Sequence, residues 1–284
     1  QTVVGIWKIV LLILQASVVW FAASTTIQVF VCGGIVITVF LFTRDFKLGF
    51  SWQYAKDIFD QSRHYVLAGL AIALYTQMDR VMLGKMMGEK EVGWYTAAMT
   101  VAMLWEFIPQ AIINSSRVVI LEKKKLDETE YSDKLQLLLF VISVLGILVG
   151  AAVQIFGKLA VRILYGKEYM AAVPVLKLLI WSTTFAMIGV ARNIWSVAEE
   201  KNQYSKNYTI CGGIFNLVSN AVTIPIWGIF GSAVSTLGAQ IVVALLSPML
   251  WKETRPFVRL YTTSWKKGAG YLKTVLKKRS SKQL

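Results

Sequence analysis

Apolar runs of about twenty residues, separated by short polar stretches, dominate the chain. A run of about 18 or more matches the ~30 Å hydrocarbon core of a bilayer and reads as a spanning helix. Eight spans are predicted, at 3–22, 24–43, 65–84, 92–113, 136–156, 172–196, 207–225 and 228–250. Inside lipid every backbone N–H and C=O needs a partner within the protein, which leaves helices and closed barrels. Continuous runs, rather than residue-by-residue alternation, exclude a barrel. The expected fold is therefore an all-α polytopic membrane bundle of about eight helices. The stretch 44–64 carries Trp52, Ala55, Ile58 and Phe59 at helical spacing, with Lys56, Asp57 and Asp60 between them. It reads as an interfacial amphipathic helix that separates two spans from six. The stretch 157–171, with Leu159, Val161, Ile163 and Leu164 among basic residues, is expected to lie flat on the opposite surface.

Composition supports this pattern. Of 284 residues, 56% are hydrophobic and 16% charged, against about 25% charged in soluble domains. The net charge of +14 is mainly topology. With the C-terminal tail taken as cytoplasmic, 21 lysines and arginines fall on its side of the membrane and six on the other. Both ends of the chain are then cytoplasmic. Nucleic acid is not an expected partner, because no soluble domain presents the basic face. The tail, with Lys266, Lys267, Lys273, Lys277, Lys278 and Arg279, reads as a polybasic segment on anionic headgroups. Cys32 and Cys211 are far apart in apolar blocks, and His64 is the single histidine, so neither a metal site nor a histidine-based triad is expected. No basic n-region or cleavage site marks a signal peptide at Gln1, which points to a processed or truncated start. Phosphate-cradling loops, zinc spacings and paired extramembrane carboxylates do not occur, so no cofactor and no enzyme activity is expected.

A charge inside a span costs roughly 2.5–3.5 kcal/mol at the helix centre and is a functional candidate by default. Lys8, Asp79, Arg80, Glu106 and Arg192 fall within spans. Lys8 is near a helix start and can snorkel. Asp79 and Arg80 are neighbours, about 100° apart around a helix, so each needs a partner elsewhere, structural or functional. Thr96, Thr100, Met103, Glu106, Gln110, Asn114 and Arg117 recur at steps of three or four and share a face. That stripe is either a polar helix seam or a substrate or ion path, and Pro109 within it favours a kink. The sixth span carries Lys177 near one mouth and Arg192 with Asn193 near the other, which suits an anionic headgroup. Asn216 and Asn220 with Thr209 and Thr223, and Gln240 with Ser232 and Thr236, form stripes that read as interhelical glue or as a path lining. Gly146 and Gly150 make a small-xxx-small contact motif.

Three motifs carry a resemblance. Asp79 followed by Val92-Gly93-Trp94-Tyr95-Thr96-Ala97-Ala98, the run Tyr165–Leu179, and Asn216, Asn220, Pro225, Gly228, Gly231, Ala233 and Thr236 stand in the order and spacing of one family. Ser232 and Ser235 stand where alanine is commoner. Over about residues 60–250 the chain resembles the Wzx-like polysaccharide flippases of the multidrug/oligosaccharidyl-lipid/polysaccharide exporter superfamily. The resemblance implies two six-helix lobes around a lumen that opens alternately to either side. Residues 1–43 would be the last two helices of an incomplete N-terminal lobe, 44–64 the inter-lobe linker, 65–251 the C-terminal lobe, and 252–284 the tail. The family's first four helices are absent, so the chain reads as incomplete.

The implied substrate is an oligosaccharide on a polyprenyl pyrophosphate carrier, as in O-antigen and lipopolysaccharide assembly. It would be carried across a bacterial or archaeal cytoplasmic membrane, with coupling to H+ or Na+ and possible association with glycan assembly proteins. Arg117 and Arg192 would meet the pyrophosphate at the inner mouth, and Lys177 or Arg80 at the outer one. Gln110, Asn114, Asn193, Asn216, Asn220 and Gln240 would line the sugar path. Asp79 or Glu106 would serve the coupling ion. A drug or metabolite antiporter of the same superfamily is the alternative, and a membrane glycan polymerase or ligase a remoter one.

Overall fold

The computed structural model describes residues 2–14, 16–43 and 51–280, with the side chains of residues 63–76, 271–280 and a few scattered positions outside that description. The helices are α1 (Thr2–Ile13), α2 (Val18–Thr43), α3 (Trp52–Met86), α4 (Glu89–Met103), α5 (Phe107–Leu126), α6 (Glu128–Tyr165), α7 (Ala172–Ala198), α8 (Ser205–Ile241), α9 (Ser247–Leu250) and α10 (Arg255–Ser280). A π-helical turn, Val242–Leu246, joins α8 to α9. No strand occurs among the described residues, so the all-α expectation holds. The chain forms two compact units, residues 1–68 and 69–284.

In the first unit the predicted span 3–22 is replaced by a 12-residue helix, about 18 Å long and too short for a bilayer core. The chain leaves the helix after Ile13, and Ser17, a residue type favoured at helix starts, precedes the 26-residue α2. Lys8 Nζ donates to Thr25 Oγ1 at 3.1 Å, a partner on the adjacent helix that complements snorkelling. The expected linker 44–64 is described only from residue 51 onward; Arg44 and Lys47 lie outside the described residues. From Trp52 the backbone is one continuous helix into the predicted third span, with no break between amphipathic and spanning parts.

In the second unit α7 is the central helix, packed against α4, α5, α6 and α8. Its sequence is apolar or small around most of its circumference, which is the pattern of a helix buried on all sides. Gly146 and Gly150 of α6 make the approach to α7 possible. A Cβ on Gly146 would collide with Thr184, and one on Gly150 would lie 2.8 Å from the Trp181 ring. The expected surface segment 157–171 is instead helical to Tyr165, because Gly157 and Val161 are buried while Lys158, Arg162 and Ile163 are exposed. Only Asp127 separates α5 from α6; its carboxylate caps α6 by accepting from the N–H groups of Thr129 (2.8 Å) and Glu130 (3.1 Å).

Four helical stretches among the described residues are long and apolar enough to cross a membrane, or five if α4 and α5, bent by 43°, count as one span. One of the four, Asn202–Leu250, is 49 residues long and doubles back on itself. The reversal is at Gly228 (φ 58°, ψ −134°), three residues after Pro225. Its arms are antiparallel: Thr223 Oγ1 lies 2.8 Å from Ser235 Oγ and donates to Gly231 O at 3.0 Å, and Ser235 Oγ donates to Ser219 Oγ at 2.8 Å. The predicted spans 207–225 and 228–250 are these two arms.

Connections alternate between two ends of the unit. At one end Trp94 Nε1 donates to Glu168 O (3.0 Å), tying the start of α4 to the α6–α7 turn, and Met87 approaches Gly228. At the other, Lys124 pairs with Glu128 (2.8 Å) and Glu199 (2.7 Å), and Lys123 with Glu130 (2.8 Å), joining α5, α6 and the end of α7.

The glycines give a graded test. A Cβ on Gly231 would collide with the Thr223 backbone, which cannot move aside, whereas one on Gly189 meets nothing within 4 Å. Gly231→Ala is expected to cost about 1–3 kcal/mol and Gly189→Ala none. Thermal unfolding in detergent checks the pair; equal melting temperatures would refute the close hairpin.

Candidate functional site

The second unit places a carboxylate among neutral donors. Asp79 is on α3, and Tyr95 is on the following helix. Asn216 and Asn220 are one turn apart on the first arm of α8, and Ser232 and Thr236 one turn apart on the second. Asp79 Oδ1 accepts from Asn216 Nδ2 at 3.1 Å and Asn220 Nδ2 at 2.6 Å. Its Oδ2 accepts from Tyr95 OH and Thr236 Oγ1, both at 2.9 Å. Tyr95 OH and Thr236 Oγ1 are themselves 2.9 Å apart, and Asn220 Nδ2 also reaches Asn216 Oδ1 at 3.1 Å. Tyr95, Asn216, Asn220 and Thr236 are buried.

No lysine or arginine lies within ion-pair distance of Asp79 among the described residues. Arg80, its neighbour, instead donates to Gln77 Oε1 at 2.7 Å on its own helix. Two buried oxygens of the same residues, Asn220 Oδ1 and Ser232 Oγ, have no hydrogen-bond partner. Asp79, the two asparagines, Ser232, Thr236 and Tyr95 each carry a side-chain oxygen, the donor type preferred by hard cations, although both asparagines turn Nδ2 toward the carboxylate. Among the described residues no group of three or more His, Cys, Asp or Glu could hold a metal ion. The arrangement therefore sets one carboxylate among neutral hydroxyl and amide groups.

The predicted polar stripe crosses a break. The helix stops at Met103 and resumes at Phe107. Pro109 has no N–H for the Trp105 carbonyl, which accepts from Ile108 N (3.1 Å) instead. Trp105 turns inward and donates to Thr183 Oγ1 at 3.0 Å. Glu106, half-buried at the bend, has no hydrogen-bond partner for its carboxylate among the described residues. Thr96 and Gln110 are half-buried, and Thr100, Asn114 and Arg117 are exposed, so the stripe lies on an open face of the unit.

The other predicted cations are dispersed. Arg192 is buried at 3% exposure. Its Nη1 donates to the carbonyls of Val243 and Ala244 (3.2 Å to the latter), in the π-helical turn, and its guanidinium lies 4.3 Å from the Tyr208 ring centre. A π turn shifts the hydrogen-bond register and frees carbonyls, which Arg192 satisfies. Asn193, next in sequence, is exposed; Lys177 and Gln240 are half-buried. No hydrogen bond or ion pair joins Arg80, Arg117, Lys177 and Arg192 among the described residues.

Three predicted residues, Asp79, Asn216 and Asn220, are thus brought together. Tyr95, Ser232 and Thr236 complete the cage and were not predicted as site residues. The i, i+4 spacing of Ser232 and Thr236 facing Asn216 and Asn220 across a hairpin was the signal for two of them; Tyr95 was marked only by its place in the motif that follows Asp79.

Comparison with known proteins agrees with this architecture. The family model described as "Polysaccharide biosynthesis protein" matches residues 1–174. The chain is 23% identical over 193 residues to a protein named probable low-salt glycan biosynthesis flippase Agl15, of Haloferax volcanii. That match covers 66% of this chain and 40% of the relative, so the chain spans well under half the relative's length. No solved structure matches. With more than half of its residues matched and an all-helical membrane bundle to carry them, the chain belongs to the polysaccharide biosynthesis protein family.

Proposed function

We propose that the chain is part of a transporter, not an enzyme, that carries a lipid-linked glycan across a cell membrane, with the Asp79 cage as its cation-coupling site. Family membership and the name of the Haloferax relative support the substrate class. The observation that carries the coupling role is the Asp79 carboxylate held by four neutral donors on α4 and both arms of α8, with no lysine or arginine within ion-pair distance among the described residues. A structural carboxylate at this depth would be expected to have a basic partner.

The mechanism follows from the donor set. Both asparagine amides point their N–H groups at Asp79. A bound Na+ needs oxygens instead, supplied by turning the amides so that Asn216 Oδ1 and Asn220 Oδ1 face the ion. A proton on Asp79 would displace one donor. Either event changes the bonds that tie α3 and α4 to the hairpin, and so biases the unit between two packings. The open face with Thr100, Gln110, Asn114 and Arg117 supplies hydroxyl, amide and guanidinium groups for the glycan and its pyrophosphate. Lys177, Arg80 and Asn193 extend these contacts; Gln240 stays with the hairpin. Arg192 acts as a positioning residue for the π turn. Glu106 is a second titratable group at the bend. In this reading the end bearing Lys123 and Lys124 faces the cytoplasm.

Asp79→Asn keeps the cage's shape and removes its charge. Wild-type protein at constant ionic strength is expected to gain thermal stability with rising Na+, by about 2.7 kcal/mol at a hundredfold excess over the dissociation constant, and the variant none. If pH rather than Na+ moves the wild-type melting temperature, the coupling ion is H+; if neither does, the coupling role is wrong. In cells making the full-length protein at normal levels, Asp79→Asn is expected to lower glycan export at least tenfold.

Arg117→Gln is expected to lower export severalfold without changing the melting temperature, because Arg117 is exposed and has no hydrogen bond or ion pair among the described residues. Arg192→Gln is expected to lower the melting temperature by leaving the Val243 and Ala244 carbonyls unpaired. The opposite pattern, a stable Arg192 variant that cannot export, would return Arg192 to the substrate path.

A further inference from the structure

The C-terminal segment is a docked helix with two unlike faces. Phe257, Ser264 and Gly268 of α10 are buried, at steps of seven and four. Phe257 meets Trp195 (ring centres 5.6 Å apart), Trp265 meets Phe140 edge-on (5.5 Å), and Tyr261 OH lies 3.2 Å from Ser143 Oγ. Gln136 Nε2 donates to Thr263 Oγ1 at 3.3 Å, and Lys267 pairs with Asp133. The opposite face presents Arg255, Arg259, Thr262 and Lys266, all exposed, at steps of four, three and four. Arg255 Nε is engaged with Met249 O at 2.9 Å. Arg259 and Lys266 have no acidic partner among the described residues. The helix runs on to Ser280 through Lys273, Lys277, Lys278 and Arg279.

The docking fixes the depth of this basic face. The residues of α6 that α10 touches, Asp133 to Ser143, straddle the change from a charged start (Glu128, Glu130, Asp133, Lys134) to an unbroken apolar run from Leu137 to Ile142. That change marks the boundary between headgroups and hydrocarbon, and α10 lies across it with Arg259 and Lys266 exposed on the side away from α6.

We propose that Arg259 and Lys266 form a ridge that binds the phosphate headgroups of anionic phospholipids. The charge, the depth and the absence of protein acids on this face all fit that occupant. Each basic residue near an anionic surface adds about fivefold to binding. The proposal does not depend on the transport reading, since it concerns retained lipid and not flux.

Native mass spectrometry of the delipidated full chain, titrated with phosphatidylglycerol and with phosphatidylcholine, tests it. The wild type is expected to retain phosphatidylglycerol in preference, and to lose that preference in high salt. The R259Q/K266Q variant should bind phosphatidylglycerol at least tenfold more weakly. The R259K/K266R variant and K158Q, an exposed lysine beyond the apolar run of α6, should match the wild type. Equal retention of the two lipids by the wild type, or full retention of phosphatidylglycerol by R259Q/K266Q, would overturn the proposal, and the wild-type arm decides even if that variant does not fold.

Discussion

A carboxylate within a membrane segment must be solvated by the protein that carries it, because lipid offers no donors. Asp79 meets that requirement with four neutral donors from three helical segments, α4 and the two arms of α8. Much of the second unit can be traced to this demand. Asn216 and Asn220 must face Thr236, so the arms of α8 must lie against each other. Contact that close needs Gly231 where the second arm passes the Thr223 backbone, and Gly228 where the chain reverses. Tyr95 must reach the same point, which holds the start of α4 against the hairpin.

A second region departs from regular helix for a different reason. The break between α4 and α5 holds a buried side chain, Trp105, next to a half-buried acid, Glu106. Proline removes one hydrogen bond and the carbonyl it leaves settles for a shorter-range partner. The Arg192–π turn pairing is the inverse case, in which irregular backbone is stabilised by a side chain from another helix. One irregularity opens a polar face and the other closes one.

The apolar runs made the bundle legible, since hydrocarbon thickness sets their length. Pro225 and Gly228 marked the hairpin. The length of α6 was not legible: Lys158 and Arg162 look like surface residues in one dimension, yet they occupy one side of a helix whose other side, Gly157 and Val161, is buried. The start of α2 was hidden within a largely apolar block, where Gln15 and Ser17 were the punctuation. In the site, the asparagine stripe pointed to the cage, and the Asp79 charge marked its centre. Tyr95 could not be separated from tyrosines that merely sit at interfaces. Arg192 is buried and bonded to the Val243 and Ala244 carbonyls, an arrangement its sequence position does not announce. A charge in a span reads as exposed to a path, and the carbonyls that hold it are released by a local change of helical register that no residue pattern announces.

The hairpin also bears on how the chain enters the membrane. Each arm of α8 exposes polar side chains on the face that the other arm covers: Asn216, Ser219, Asn220 and Thr223 on one, Ser232, Ser235 and Thr236 on the other. Entering alone, the first arm would carry that polar stripe into lipid without its cover. Entering with the second, it brings the cover along, and the reversal at Gly228 is tight enough for the two to meet as soon as both are synthesised. Biogenesis is thereby weighted toward insertion of residues 205–241 as a single two-stranded unit, with Asp79, made earlier, receiving its remaining partners last.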